Sequence, residues 1–278
     1  MSSRNVLVVD DDPAVLELLT SVLRQKGRHI VGAYDSRTAL EEIGRSGYDL
    51  VVAGGRNGAD GLELLRRARQ AHPETPVIVT AEQSDPERAL RAMRDRAYSY
   101  FHKPLPPGSI AHMADQALEA SGWQNDIEVF SARPEWITLA VRCKLDAGER
   151  VVQFVREAAA DVPPTAREDI ATAFRELLMN AIEHGGRSDP GANVRVSLVR
   201  TRKAFVGQLQ DPGSGFSLET IPHAAVGNPA DSPIRHVEIR AEQGQRPGGF
   251  GILMARSLMD ELIYNELGNE VLFIKYLA

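Results

Sequence analysis

The sequence predicts an α/β protein built as two successive domains, and three observations lead there. Short apolar runs alternate five times with helix-period patterns between Met1 and about Gly122, the order expected of a doubly wound parallel sheet. The length of 278 residues is long for one core and comfortable for two. Beyond Gly122 the regular alternation gives way to strands paired across short turns and to longer amphipathic helices.

In the first domain (residues 1–122) strands are expected at Asn5–Val9, His29–Ala33, Asp49–Ala53, Pro76–Thr80 and Tyr98–Phe101. Helical patterns fill the intervals: Pro13 to Gly27, Ser36–Gly47, Ala59–His72, Pro86–Asp95 and Pro107–Ala120. Pro13 follows Asp10-Asp11-Asp12 and suits a first helical turn, where a missing N–H is no loss. In such a sheet the sites lie at the carboxyl ends of the strands.

Three of those ends carry suggestive residues: Asp10-Asp11 after the first strand, Thr80-Ala81 after the fourth, Lys103-Pro104 after the fifth. The whole segment resembles the receiver domain of two-component response regulators, which implies a flavodoxin-like fold. The resemblance implies that the acidic pair holds Mg²⁺, that Thr80 and Lys103 contact a phosphoryl group, and that an aspartate ending the third strand accepts it. In Tyr48-Asp-Leu-Val-Val-Ala-Gly54 the acceptor position falls on Gly54, or on Ala53 when counted back from Asp60-Gly61. Neither residue has a carboxylate, Asp49 is at the other end of the strand, and Asp60 falls in the following loop. Without an acceptor oxygen no acyl phosphate forms, and Mg²⁺ loses one of its few ligands. The expectation is a receiver fold kept for protein contact; phosphorylation elsewhere on the domain is the other reading.

The second domain (residues 123–278) opens with Ile127–Phe130, which alternates like an edge strand, then a strand at Ile137–Arg142 and a helix at Gly148–Ala160. Thr165, three residues before Glu168, is the expected N-cap of the next helix, after the stop at Pro163-Pro164. In that helix Phe174, Leu177, Leu178, Ala181 and Ile182 form a buried stripe, while Glu176, Asn180 and Glu183 gather on the opposite side. Strands follow at Asn193–Val199 and Ala204–Gln210, joined by the basic turn Arg200–Lys203. The chain closes with a helix at Ile252–Asp260 and a hairpin of Leu262–Asn265 and Glu270–Tyr276 turned by Leu267-Gly-Asn269.

Two glycine motifs stand in this domain. Asp211-Pro-Gly-Ser-Gly215 places a carboxylate at a strand end, where it can accept a hydrogen bond from an exocyclic amine such as that of adenine. Its glycines let main chain approach a ligand without Cβ obstruction, though an ordinary Asp/Pro/Gly turn has the same composition. Arg246-Pro-Gly-Gly-Phe-Gly251 runs into a helix, and such a turn offers free N–H groups to phosphates. Between them Phe216–Gln245 has little periodicity, as a lid or binding loop would; Arg235, Arg240 and Arg246 could reach a triphosphate from it, though loop arginines are more often simply solvated.

Taken in order, Glu176…Asn180, Asp211-x-Gly213-x-Gly215 and Gly248-Gly249-x-Gly251 resemble the N, G1 and G2 boxes of the GHKL ATPase superfamily, over about Ile127 to Ala278. Each box is weak alone and specific as a set. The short domain, Phe216 after Gly215, and Ala-Arg-Ser-Leu-Met-Asp-Glu261 most closely resemble the anti-sigma-factor serine kinases. That resemblance implies a two-layer α/β sandwich, helices on one face of a mixed sheet, with ATP between helices and lid. It implies that Asn180 holds Mg²⁺ against the phosphates, that Asp211 binds the adenine amino group, and that Gly213, Gly215, Gly248, Gly249 and Gly251 admit the nucleotide. Glu176 is then the general base, although an acidic residue there could equally activate water.

A net charge of −6, with no basic stripe of interleaved aromatics, argues against a nucleic-acid partner. The single cysteine, Cys143, excludes an internal disulfide and reads as a structural thiol. Lack of a signal peptide and of a membrane-length apolar run points to the cytoplasm. The function expected is an ATP-dependent serine/threonine kinase acting on a small antagonist protein in a partner-switching circuit, with a sigma factor as a further partner and a homodimer as a further expectation. A nucleotide-gated binding module that captures a partner without phosphoryl transfer is the alternative; Glu176 tilts the choice to the kinase. A histidine kinase ranks lower, since His112, the upstream helical candidate, is followed by Met113-Ala114 where that family needs an acidic residue.

Overall fold

The computed structural model describes residues 4–24, 27–45, 47–55, 60–216 and 250–277. Backbone contacts divide the chain into two units, Met1–Asn125 with Gln153–Asp161, and Asp126–Val152 with Val162–Ala278.

In the first unit β1 (Asn5–Val9) is fully buried from Val6 onward, which is why its sequence is an unbroken apolar run. It pairs in parallel with β2 (His29–Ala33) on one side and β3 (Leu50–Ala53) on the other. β4 (Val77–Ala81) and β5 (Ser99–His102) extend the parallel sheet to the order β2-β1-β3-β4-β5. The intervening helices are α1 (Pro13–Leu23), α2 (Ser36–Arg45), α3 (Gly61–Ala71), α4 (Pro86–Arg94) and α5 (Pro107–Glu119). This is the expected flavodoxin-like doubly wound fold. Its strand order reverses between β1 and β3, so the crevice of the sheet opens beside Asp10 and Gly54.

Side chains alternate across each strand, so Val6, Val8, Leu50 and Val52 share one face. They form a core with Leu16, Leu19 and Leu23 of α1 and Ile110, Met113 and Ala114 of α5. Trp123 closes that core, edge-on to Tyr98 at 5.4 Å, with its Nε1 donating to the Glu74 carbonyl at 3.2 Å. Helix starts are set by carboxylates: Asp12, Asp60 and Asp85 each accept a main-chain N–H of the first turn. Asp60 therefore begins α3 at Gly61, later than the expected Ala59, and α1 closes at Leu23, short of Gly27.

The second unit is a two-layer α/β sandwich. Its sheet has the order β10-β11-β9-β8-β7-β6, with β6 (Ile127–Arg133), β7 (Trp136–Arg142), β8 (Asn193–Arg200), β9 (Ala204–Gln210), β10 (Glu261–Tyr264) and β11 (Glu270–Tyr276). Every pairing is antiparallel, which corrects the expectation of a mixed sheet. The reason is connectivity: β6–β7, β8–β9 and β10–β11 are hairpins, and α6 (Leu145–Ala158) with α7 (Pro164–Asn180) returns the chain so that β8 runs against β7. β8 shows the one-sided burial of such a sheet: Val194, Val196 and Leu198 are buried while Asn193, Arg195 and Val199 are exposed. Phe273 of β11 lies 6.3 Å from Phe174 of α7 and 6.5 Å from Phe205 of β9, tying helix to sheet.

Several boundaries differ from expectation. α6 starts at Leu145, three residues before Gly148. Thr165 is not the cap of α7: Pro163 occupies that position with no side-chain cap bond, and Pro164 starts the helix, because a proline ring is preset for a first turn and has no N–H to cap. Near the join, half-exposed Lys144 donates to buried Asp126 at 2.7 Å, with Arg150 Nη1 at 3.8 Å from the same oxygen. The last helix, α8 (Gly251–Leu258), is held at its C-terminus by Lys275, whose Nζ donates to the Leu258 carbonyl at 2.8 Å and pairs with Asp169 of α7 at 2.9 Å. No helix among the described residues is long and apolar enough to cross a membrane.

Candidate functional site

The stretch from Phe174 to Gly185 meets three other segments of the second unit. On α7, Phe174, Leu177 and Leu178 are buried, so Glu176 and Asn180 are turned outward and half-exposed. Arg175 Nη1 stands 3.3 Å from Glu176 Oε1, and its Nη2 donates to Glu149 of α6 at 2.5 Å. The bond to Glu149 holds the Arg175 guanidinium above its ordinary range, so the charge beside Glu176 is fixed.

After Asn180 the helix does not continue in α form. Ala181–Gly185 is a π turn, with Gly186 N donating to the Ala181 carbonyl at 2.7 Å and Ser188 N to the Ile182 carbonyl at 2.9 Å. The extra residue per turn is a feature concentrated at functional sites. Here it brings Gly185 against Asp211: a Cβ on Gly185 would stand 2.2 Å from the Asp211 carboxyl carbon.

Asp211 follows the last residue of β9 and is half-buried. Its Oδ1 accepts from Gly213 N at 2.8 Å, and its own N donates to the Asn269 carbonyl at 3.0 Å. Burial pushes its carboxyl above the usual range, against the opposing Gly213 N–H. Burial also raises the phenol of Tyr264, and the Asp211 charge adds to that shift.

Gly251, the first residue of α8, completes the arrangement. A Cβ there would stand 2.8 Å from Glu176 Oε2 and 3.3 Å from Asn180 Nδ2. The N-terminus of α8 therefore abuts the two polar residues of α7. Gly213 is equally close to main chain, since its Cβ would lie 2.7 Å from the Gly185 carbonyl oxygen. Of the predicted site residues, Glu176, Asn180 and Gly251 come together, and Asp211 and Gly213 come together against Gly185, which was not among them, at the other end of the π turn. Gly248 and Gly249 lie outside the described residues, as do Arg235, Arg240, Arg246 and residues 217–245 of the loop read as a lid.

The donor set suits ATP with Mg²⁺. The glycines let main chain pack against Glu176, Asn180 and Asp211 with no Cβ between them, and Asp211 is acceptor-only while ionised. Among the described residues no cluster of three or more His, Cys, Asp or Glu could cage a metal. The fit to Mg²⁺ thus rests on one amide oxygen, that of Asn180, with phosphate oxygens and waters to complete the shell.

In the first unit the strand ends also converge. Lys103 Nζ donates to Asp10 Oδ1 at 3.0 Å and pairs with Glu82, and Asp12 N donates to the same Asp10 oxygen at 3.0 Å. Asp10 is fully buried, and burial pushes its carboxyl up against the opposing Asp12 amide and Lys103. Burial also opposes the Lys103 charge, yet the bonds to Glu82 and Asp10 outweigh it and hold the ammonium above its ordinary range. Ala53 ends β3 and Gly54 N donates to the Val9 carbonyl at 2.9 Å, with the Thr80 hydroxyl in front of it: a Gly54 Cβ would stand 1.9 Å from Thr80 Oγ1 and 2.9 Å from Asp10 Oδ2. Asp49 is at the opposite end of the strand, accepting from Asn5 N at 2.8 Å.

Sequence reasoning missed Glu82, the Glu149–Arg175 link, the π turn with Gly185, and Asn269. Of these only the doubled glycine at Gly185-Gly186 was a visible signal of close main-chain approach.

Residues 6–115 match the family model of the response regulator receiver domain, and residues 141–275 match that of the histidine kinase-like ATPase domain. The nitrogen assimilation regulatory protein NtrX of Azorhizobium caulinodans is 27% identical over 168 residues, covering 59% of this chain and 35% of that protein. The transcriptional regulatory protein GlrR of Escherichia coli is 33% identical over 124 residues, covering 44% of this chain and 28% of that protein. The chain thus spans about a third or less of the length of these curated relatives. Among solved structures, the receiver domain of NtrX from Brucella abortus is 30% identical, with a TM-score of 0.38, over 42% of this chain and 99% of that one.

Proposed function

We propose that this chain, which carries an N-terminal response regulator receiver domain and a C-terminal histidine kinase-like ATPase domain, is an ATP-dependent serine/threonine protein kinase of the anti-sigma-factor type. Its substrate is a small antagonist protein in a partner-switching pathway, with a sigma factor as a further partner. The observation that carries the reading is the meeting of Gly251 with Glu176 and Asn180, because it brings a helix N-terminus, a carboxylate and an amide together.

In this reading Asp211 accepts a hydrogen bond from the exocyclic amine of adenine. Gly213, Gly215, Gly248, Gly249 and Gly251 allow main chain to approach the nucleotide. The amide oxygen of Asn180 holds Mg²⁺, which when bound neutralises phosphate charge. Glu176 takes the proton of the attacking hydroxyl onto its carboxylate, and Arg175 keeps that carboxylate oriented. The chemistry is mainly positioning, so one base and a cradle of N–H groups suffice.

The receiver domain serves protein contact in this proposal and lacks a phosphoacceptor aspartate. Support comes from Gly54 and Ala53 at the end of β3, and from the Thr80 hydroxyl lying where an acceptor side chain would extend. Acetyl phosphate with Mg²⁺ is expected to leave the chain without a hydroxylamine-labile label.

The raised carboxyl of Asp211 has a stability consequence. A carboxyl whose folded-state pKa lies above its ordinary 3.8 favours the fold while protonated, and that contribution is lost as pH rises through the folded value. Ionised Asp211 therefore destabilises the nucleotide-free protein at neutral pH. Asp211→Asn, which keeps an acceptor for Gly213 N, is expected to raise the apo melting temperature by roughly 2 °C while weakening ATP binding about tenfold. Thermal unfolding with and without ATP reads both effects.

The test of the kinase reading is transfer of labelled γ-phosphate from ATP to candidate antagonist proteins. Label on a serine or threonine of a candidate supports it. ATP binding with no transfer to any candidate favours the second reading, a nucleotide-gated module that sequesters its partner, which the same Gly251–Asn180 contact also supports.

A further inference from the structure

The loop from Asp211 to Phe216 does not hold its shape alone; it is laid on the turn between β10 and β11. Asp211 N donates to the Asn269 carbonyl at 3.0 Å, and the Asn269 side chain returns the bond, Nδ2 donating to the Gly213 carbonyl at 3.2 Å. Further along, Gly215 has φ +82° and sits so close to the turn that a Cβ would stand 1.8 Å from the Leu267 carbonyl oxygen. Gly268, at φ +77°, is as tight against the Phe216 carbonyl oxygen, at 1.9 Å from a Cβ. Phe216 then packs edge-on to Tyr264 of β10 at 5.3 Å between ring centroids.

The turn is itself rigid. Asn265 Oδ1 accepts from the main-chain N–H groups of Gly268, Asn269 and Glu270 at 2.8, 3.1 and 3.2 Å. Its Nδ2 donates to Asn269 Oδ1 at 2.9 Å, which leaves the Asn269 NH₂ directed to Gly213. Both ends of the Asp211 carboxylate's support therefore pass through Asn269: its carbonyl fixes the Asp211 main chain, and its amide fixes Gly213, whose N–H holds Asp211 Oδ1 at 2.8 Å.

We propose that Asn269 is a positioning residue that sets the base selectivity of the nucleotide site by fixing where the Asp211 carboxylate points. The proposal rests on the nucleotide reading above and deepens it. Asp211 can favour a base bearing an exocyclic amine over one bearing a carbonyl only if its oxygen is held in place. A loosened loop can turn away from the carbonyl and lose the discrimination. The turn, 56 residues beyond Gly213, thus acts on specificity without touching the base.

The experiment compares ATP with ITP, whose hypoxanthine has a carbonyl where adenine has the amine, on the intact chain. Asn269→Asp is near-isosteric, keeps an acceptor for Asn265 Nδ2 and replaces the donor to Gly213 with a charged acceptor; Asn269→Ala removes donor and acceptor without adding charge. Wild-type protein is expected to prefer ATP by roughly tenfold or more, and both variants to reduce that ratio several-fold. Thermal unfolding of Asn269→Asp reports any general loss of fold. An unchanged ATP-to-ITP ratio in both variants, whether or not overall affinity falls, would overturn the positioning role and leave Asn269 as a turn residue. Binding of neither nucleotide by the wild-type protein would instead refute the nucleotide site, and the proposal with it.

Discussion

Glu176→Gln is expected to lower phosphoryl transfer by about a thousandfold while ATP affinity stays within roughly threefold, since a positioned general base contributes to the transition state and little to ground-state binding. Glutamine keeps the size of the side chain and removes its ability to take a proton. The half-exposed pair with Arg175 at 3.3 Å is lost, a change worth at most about 1 kcal/mol of stability at such a site. Single-turnover transfer to an unphosphorylated antagonist, with ATP affinity measured separately, distinguishes the effects. Transfer at the wild-type rate would remove Glu176 from the chemistry. Equal loss of binding and transfer would make it a binding residue.

Asn180→Ala is expected to act on the other side of that division. Loss of its amide oxygen takes away the side-chain ligand assigned to Mg²⁺, and Mg-ATP affinity is expected to fall on the order of a hundredfold. The position is half-exposed at the end of α7, so the fold is expected to lose no more than about 0.5 kcal/mol. Titration with ATP in Mg²⁺ and again in EDTA separates metal from nucleotide. The variant's affinity in Mg²⁺ is expected to match that of the wild type in EDTA. A variant that binds Mg-ATP normally would contradict the role given to Asn180.

How much of this could be read in the sequence depends on whether the signal was local. The strands of the first domain were visible because a parallel strand buried on both faces is a continuous apolar run, as Val6–Val9 is. Their order was reached only through the receiver resemblance, since no strand's residues name its neighbour. In the second domain the stripe of Phe174, Leu177 and Leu178 identified the buried side of α7 and hence the outward side of Glu176 and Asn180. The π turn that follows was hidden, because Ala181 and Ile182 continue the same stripe and only the Gly186–Ala181 bond reveals the widening. The antiparallel sheet follows from its hairpins of neighbouring strands, a connectivity visible in the sequence, whereas the family likeness points to a mixed sheet. Asn269 could not be found from its surroundings: Leu267-Gly-Asn269 has the composition of any hairpin turn, and its bond to Gly213 spans 56 residues.

The same limit applies to Glu82. It follows the expected end of the fourth strand by two residues and has nothing in its sequence context to mark it as a partner of Lys103. Lys103 itself was legible, because its place after the fifth strand is given by the alternation.

In the proposed function, segments far apart in the chain form one nucleotide site. Hydrogen–deuterium exchange of the intact protein with and without Mg-ATP tests it most directly. Nucleotide is expected to slow exchange together at residues 176–186, 211–216 and 250–254, with 265–270 following because that turn backs the Asp211 loop. Unchanged exchange in all of these segments at saturating Mg-ATP, or protection confined to the first unit, would contradict it.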